Sequence, residues 1–363
     1  MTLLASTPRA DGFLMPAEWA SQRRVWLGWP ARPDNWRDQA RPAQQAFAAV
    51  ANTISDYQDV VMVMPPGGAS GAGRLLSARV DRFEAPMNDA WLRDIGPTFV
   101  RGRAGERRAV DWIFNAWGGL QGGLYDSWDD DDALAARIAE ACEMPRYRAP
   151  LVLEGGSIHV DGEGTCMTTE ECLLNPNRNP ALSRSEIEAH LRDYLGVAEI
   201  LWLGRGLLDD ETDGHVDNLC CFLRPGVVAL AWTDDRSDPQ HAISQDAWQR
   251  LHEARDARGR ALEIVKLPIP REPLRMTLVE AAQVERVPGT LPREAGQRLA
   301  ASYVNFLICN GAVILPAFGD ANDDRARGIL AEQFPTRDIR VVPGREILLG
   351  GGNVHCITQQ EPA

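Results

Sequence analysis

The amino-acid sequence predicts an α/β protein built by repetition of one kind of unit within a single catalytic domain, residues 1–363. Three observations carry this expectation. Short apolar, β-branched runs recur along the whole chain, amphipathic helical spacings lie between them, and proline and glycine are spread evenly, with no Ser-rich or charge-run linker. At 363 residues the chain exceeds the size at which single cores usually stop growing, so a repeated architecture competes with two tethered domains. No phrase recurs at a fixed spacing; the periodicity lies in element order alone.

In chain order, Phe47, Val50, Ala51 and Ile54 occupy the i, i+3, i+4 and i+7 positions of one helix face, and Val60-Val-Met-Val-Met64 follows as a buried strand. The run Asp129-Asp-Asp-Asp132 stands before Leu134 and Ile138, where acidic side chains complement the positive end of a helix; a metal site is the alternative. Leu151-Val-Leu153 predicts the next strand. Ser183-x-x-Glu186 reads as a capping box opening a helix that buries Ile187, Leu191 and Leu195. Strands follow at Ile200–Leu203, Val227–Ala231, Ala312–Leu315 and Ile339–Val342, and a helix starting near Asp320–Asp323 is expected to bury Ile329 and Leu330.

Acidic residues outnumber basic ones by 51 to 38, a formal charge of −13, which disfavours nucleic acid and anionic lipid as partners and suits a cationic small molecule. The only lysine, Lys266, lies in the strand-like run Ile264–Pro268 and fits neither a phosphate loop nor a Schiff base. Seven cysteines, at 142, 166, 172, 220, 221, 309 and 356, form no Cys-x-x-Cys pair, which points to a reducing compartment. Met1–Arg9 lacks the charged start and apolar core of a signal peptide, and no run approaches the ~18 apolar residues of a membrane span. The expectation is a cytoplasmic enzyme, with a homodimer as the guessed assembly.

Chemistry concentrates in a few segments. Gly350-Gly-Gly-Asn-Val-His-Cys356 places three glycines where no helix start follows, so the turn delivers a cysteine rather than cradling phosphate. Cys356 is a candidate nucleophile; the plain alternative is a small buried hydrophobe. If the segment is extended, His355 points away from Cys356 and is structural, and the working histidine comes from elsewhere. His215 is that candidate: in Asp-Gly-His215-x-Asp217 an extended backbone would put His215 and Asp217 on one face, with a metal pair or an acidic loop as alternatives. Glu154, at the end of an apolar strand, is costly to bury unless paired. Asp94 precedes a Gly-Pro turn and is either functional or a turn cap.

Asn88-Asp-Ala-Trp-Leu-Arg-Asp94, Phe114-Asn-Ala-Trp-Gly-Gly119, Leu153-Glu-Gly-Gly-Ser-Ile-His159, Thr168–Arg178, Glu211-Thr-Asp-Gly-His-Val-Asp-Asn218 and Gly350–Gln360 together resemble the agmatine deiminase family over nearly the whole chain, beginning at Gly12-Phe-Leu-Met-Pro-Ala-Glu18. The resemblance implies the α/β-propeller of the guanidine-modifying (pentein) superfamily, a pseudo-fivefold ring of ββαβ modules around a central site. It implies hydrolysis of agmatine to N-carbamoylputrescine and ammonia, a step in making putrescine from arginine, with no metal and no organic cofactor. By the same resemblance Cys356 is the nucleophile, His215 with Glu154 the acid and base, and Asp94 and Asp217 the guanidinium clamp. Glu211 matches a position near the substrate tail, and Trp91 would cover its methylenes; the alternatives are a turn cap and a core residue. Rival readings are a relative acting on free or peptidyl arginine, a non-catalytic amine-binding protein and a metal amidohydrolase.

Overall fold

In the computed structural model, which describes residues 2–68 and 72–363, the mixed α/β chain forms five sheets that share one strand pattern. Met1 of the amino-terminal segment lies outside the described residues. The first sheet holds β1 (Gln22–Gly28), β2 (Asp59–Met64) and β3 (Val80–Glu84), parallel to one another and linked from β1 to β2 by helix α1 (Arg41–Ile54). The second has β4 (Thr98–Arg101) antiparallel to β5 (Arg107–Ile113), then α2 (Leu134–Ala141) and a parallel β6 (Arg146–Val152).

The pattern repeats in β7 (His159–Val160), β8 (Thr165–Thr169), α3 (Arg184–Leu195) and β9 (Glu199–Leu203). It repeats again in β10 (Cys220–Arg224), β11 (Val227–Trp232), α4 (Gln240–Glu253) and β12 (Glu263–Pro268), and in β13 (Leu307–Cys309), β14 (Ala312–Ala317), α5 (Asp323–Gln333) and β15 (Asp338–Pro343). Finally β16 (Thr358–Pro362) lies antiparallel to β1, giving the first sheet the same antiparallel pair from opposite ends of the chain.

The middle strands carry the apolar runs because both their faces are covered: all of β11 is buried, and β2 and β14 each have one residue short of full burial. The capping box at Ser183 and Glu186 is present as expected, and Ile187, Leu191 and Leu195 are buried. In α5, Leu330 and Ala326 are fully buried, while Ile329 packs against the same cluster at its edge and is only partly buried. The acidic run also differs from its dipole reading. Asp129–Asp132 forms its own helical turn, and the buried Asp131 accepts the Asn88 and Asp89 amides at 2.7 and 3.2 Å and the Tyr125 hydroxyl at 2.6 Å, so it ties a loop down. Among the described residues, no helix is long and apolar enough to cross a membrane.

In every sheet the antiparallel pair includes one strand entered from a short irregular segment, and these segments carry the chemistry. Asp94 stands just before β4, Glu154 before β7, Asp217 before β10, Asn305 before β13 and Cys356 before β16.

Candidate active site

Cys356 is not on an extended segment. Residues 354–357 form a turn in which the Ile357 amide bonds back to the Asn353 carbonyl at 3.2 Å, so His355 and Cys356 project at an angle rather than to opposite faces. Asn305 clasps this turn: its Oδ1 accepts the His355 amide at 3.0 Å and its Nδ2 lies 3.1 Å from Cys356 Sγ. The thiol also sits 3.5 Å from Asp217 Oδ2. Gly352 lets the chain pass close, since a β-carbon there would stand 3.0 Å from Cys356 Sγ and 2.7 Å from the Trp91 ring.

His215 and Asp217 are likewise brought together by a helical turn, not an extended run. His215 caps the short helix Val216–Leu219, and Asp217 lies in its first turn. His215 Nε2 is 3.6 Å from Glu154 Oε2, and its Nδ1 is 3.9 Å from Asp94 Oδ2. Asp94 belongs to the helical turn Leu92–Ile95; its Oδ1 accepts the Gly156 amide at 2.8 Å and its Oδ2 the Trp117 indole at 2.9 Å. Ala116 and Trp117 adopt φ of 56° and 60°, a costly conformation for residues with a β-carbon, and it delivers that indole.

Glu154 has the partner its burial demands. Arg178 Nε donates to its Oε1 at 2.8 Å, and Arg178 is itself held by Asp213 at 2.6 Å and the Thr212 carbonyl at 2.9 Å. Left without a hydrogen-bond partner are Glu154 Oε2, both His215 ring nitrogens and Asp217 Oδ1, all buried. Of these, His215 Nδ1 borders Gly156, where a β-carbon would lie 2.6 Å from it and 3.0 Å from Asp94 Oδ1 and Asp217 Oδ2.

Two weaker candidates sit to one side. Trp91 is 4 % exposed and stacks on Trp36 at 5.2 Å between centroids, with its indole donating to Asp89 at 3.1 Å. Glu211 is no turn cap: Arg293 and, at 2.8 Å, Gln297 Nε2 hold its Oε1, leaving Oε2 unpartnered next to Gly351, whose φ is +113°.

The charges sort unequally. Burial pushes Asp94 up to about 6, against the pull of His215 and with Asp217 and Glu154 adding to the rise. Burial opposes the ionised form of Glu154 too, but Arg178 and His215 bring it down to about 2. Asp217 is lowered, since His355, His215 and Arg93 outweigh its burial. Burial works against a charged His215, yet Asp94, Cys172 and Glu154 hold it well above its ordinary value. Cys356 is raised well above the usual thiol range, first by burial and then by Asp217 and Asp94. The site therefore rests with Cys356 as a thiol and His215 as an imidazolium, and an incoming cation is what would favour the thiolate.

Among the described residues, two groups of side chains have the spacing of metal ligands: Glu154, Cys172 and His215, and Glu18, His159 and His355. The first includes the carboxylate already bonded to Arg178, and Arg93 acts electrostatically on the second, so a divalent cation would meet a buried guanidinium at either. Arg178, Asn305 and Trp117 escape a reading of the sequence as site residues. Arg178 and Trp117 leave a trace only as members of the family-like runs Thr168–Arg178 and Phe114–Gly119, and Asn305 leaves none.

Residues 14–362 match the family described as Porphyromonas-type peptidyl-arginine deiminase, and the chain belongs to that family. Within it, the chain is similar to an agmatine deiminase of Stutzerimonas stutzeri, 57 % identical and covering 100 % of this chain and 99 % of the relative. A second, from Pseudomonas aeruginosa, is 56 % identical over 99 % of this chain and 98 % of its own length. The fold superposes on the solved agmatine deiminase of Enterococcus faecalis with a TM-score of 0.98 and 47 % identity, covering 100 % of this chain and 99 % of that one.

Proposed function

We propose that this protein hydrolyses agmatine to N-carbamoylputrescine and ammonia through a covalent amidino-cysteine intermediate, in the route from arginine to putrescine. The observation that carries the reading is the buried group bordering Gly156, His215 Nδ1, Asp94 Oδ1 and Asp217 Oδ2, the last of these 3.5 Å from the Cys356 thiol. A guanidinium is planar, offers N–H donors at its rim and accepts nothing, which suits a ring of ionised carboxylates. Among relatives at this identity the curated activity is agmatine deimination, which favours agmatine over the arginine substrates in the family's description.

In this mechanism Asp94 and Asp217 clamp the guanidinium with its carbon against Cys356 Sγ, and the thiol proton leaves for solvent as the substrate's charge enters. Sulfur attacks the carbon, and the departing amine takes a proton from His215 to leave as ammonia. Neutral His215, steadied by Glu154, then takes a proton from water; the oxygen attacks the amidino-thioether, and the C–S bond breaks as the hydroxyl proton passes to the departing thiolate, leaving the ureido carbonyl and the Cys356 thiol. Glu211 Oε2 receives the distal ammonium and Trp91 covers the methylenes. The five sheets stand as ββαβ blades of one α/β-propeller domain, 1–363, around this site. No metal or organic cofactor takes part. The reading also places the enzyme in the cytoplasm as a homo-oligomer, where exposed Leu120, Leu278 and Val279 offer apolar surface for a second copy.

The test is ammonia release from agmatine and from arginine by the wild type and by Cys356→Ala. Agmatine should be strongly preferred, since a free carboxylate would face buried Glu211. The variant should bind agmatine, release no ammonia and show no mass-trapped adduct. Equal rates on both substrates would overturn the substrate assignment, and turnover by Cys356→Ala the mechanism.

A further inference from the structure

Behind Asp217 lies a second buried ionic group that the proposed reaction does not use. His355 Nδ1 is 2.8 Å from Asp217 Oδ2, and its Nε2 is 3.0 Å from Glu18 Oε2. Glu18 is 4 % exposed, and its other oxygen accepts the Ile308 amide at 2.6 Å. Two ionised carboxylates can only accept, so an imidazole bonded to both must donate from both nitrogens and is therefore an imidazolium. His159 closes the group: its Nδ1 accepts the Phe222 amide at 3.3 Å, which puts its proton on Nε2, 3.6 Å from Glu18 Oε2.

We propose that His355, clamped as an imidazolium between Glu18 and Asp217, is a positioning residue for the reaction, holding Asp217 ionised with its Oδ2 fixed beside the Cys356 thiol. The inference rests on the guanidine-hydrolase reading above. Two carboxylates facing one cation repel each other, and burial alone would leave both inclined to hold a proton. The charged group behind Asp217 separates them: Asp94, whose nearest imidazole is His215 at 3.9 Å, is pushed up to about 6 by burial, while Asp217, directly bonded to His355 at 2.8 Å, is lowered despite equal burial.

The charges facing this group come from several elements. Arg93, on the turn bearing Asp94, repels His355 and attracts Asp217 and Glu18; its Nε donates to the His355 carbonyl at 3.3 Å. His215 attracts Asp217 from its own turn, the Cys356 thiol touches it, and the Asp94 carboxylate repels it across the site. The Cys221 thiol faces Asp217 from β10.

Glu18→Gln keeps an acceptor for the Ile308 amide and offers an N–H to His355 Nε2, so the hydrogen bonds survive while His355 becomes neutral with its proton toward Asp217. With agmatine, the acid limb of kcat/KM should move up by roughly one pH unit or more and steepen from one proton toward two, as both clamp carboxylates titrate together. A profile superimposable on the wild type, or a uniform fall at every pH, would overturn the proposal. Should Glu18→Gln fail to fold, nitrogen NMR of ¹⁵N-histidine wild type decides the matter. The resonances missing from His355→Gln should have imidazolium shifts at pH 8, and neutral-ring shifts would refute the clamp. A wild type that releases no ammonia from agmatine would sink the substrate reading while leaving the histidine resonances to be judged separately.

Discussion

Gly156 has no side chain, and the space a β-carbon would take lies 2.6 Å from His215 Nδ1 and 3.0 Å from the Asp94 and Asp217 oxygens. Its φ is negative, so alanine would meet no backbone strain, and its amide would still reach Asp94. The added methyl can only push apart the groups that would hold a guanidinium. Gly156→Ala should therefore fold, lose about 1–3 kcal/mol of stability to overpacking and lose about 100-fold in kcat/KM, the cost an ångström-scale misplacement can carry. Steady-state kinetics beside a melting curve checks this; full activity would show that the guanidinium lies elsewhere. At this scale the sequence is informative where a residue carries its own local signal. Cys356 follows three glycines, His215 follows Asp-Gly, and Glu154 ends an apolar run. Asn305 is an isolated amide in Tyr303-Val-Asn-Phe-Leu307, and its importance arises only when the fold sets it against the Cys356 turn. The pairing of Arg178 with Glu154 is hidden for the same reason.

Among the elements, legibility follows burial. Strands covered on both faces, such as β2, β11 and β14, advertise themselves as continuous apolar runs. β16 does not: Thr-Gln-Gln-Glu-Pro reads as a polar tail, yet all five residues are buried. Several of its polar groups find partners from afar. Gln359 donates to the Pro97 carbonyl at 2.9 Å, and Glu361 takes the Trp26 indole at 3.0 Å together with Arg24 at 3.3 Å and Arg107. The extended setting assumed for His355 and His215 fails similarly, since short turns of helix leave no periodicity to read. Glu361→Ala leaves one indole and two partly buried guanidiniums without their acceptor. We expect it to cost about 2 kcal/mol in urea unfolding at neutral pH, with hydrogen exchange rising first at the β16 amides. A loss confined to a few tenths would mean that β16 is held by its ladder alone.

For the whole molecule, opposite shifts of buried carboxyls predict where stability peaks. Asp94 and Asp131 are raised by burial to about 6 and about 7 from an unfolded value near 3.8, so the stability they give is complete below 3.8 and lost as pH rises through those values. Glu154 runs the other way: held at about 2 mainly by Arg178, against 4.5 unfolded, it stabilises above 4.5 and loses this as pH falls toward 2. Glu280, lowered to about 2 beside Arg345, adds to the same acid loss. Urea stability should thus be greatest between the unfolded values of 3.8 and 4.5, falling on the acid side toward pH 2 and on the other side up to about 7, beyond which these groups change it no further. Glu154→Gln should flatten the acid side only, while weakening the protein at neutral pH by leaving Arg178 with a lone carboxylate partner. A guanidinium bound by Asp94 favours its ionised form, so saturating agmatine on Cys356→Ala should shift the maximum to higher pH. If agmatine raised stability equally at every pH, Asp94 would not be part of the clamp.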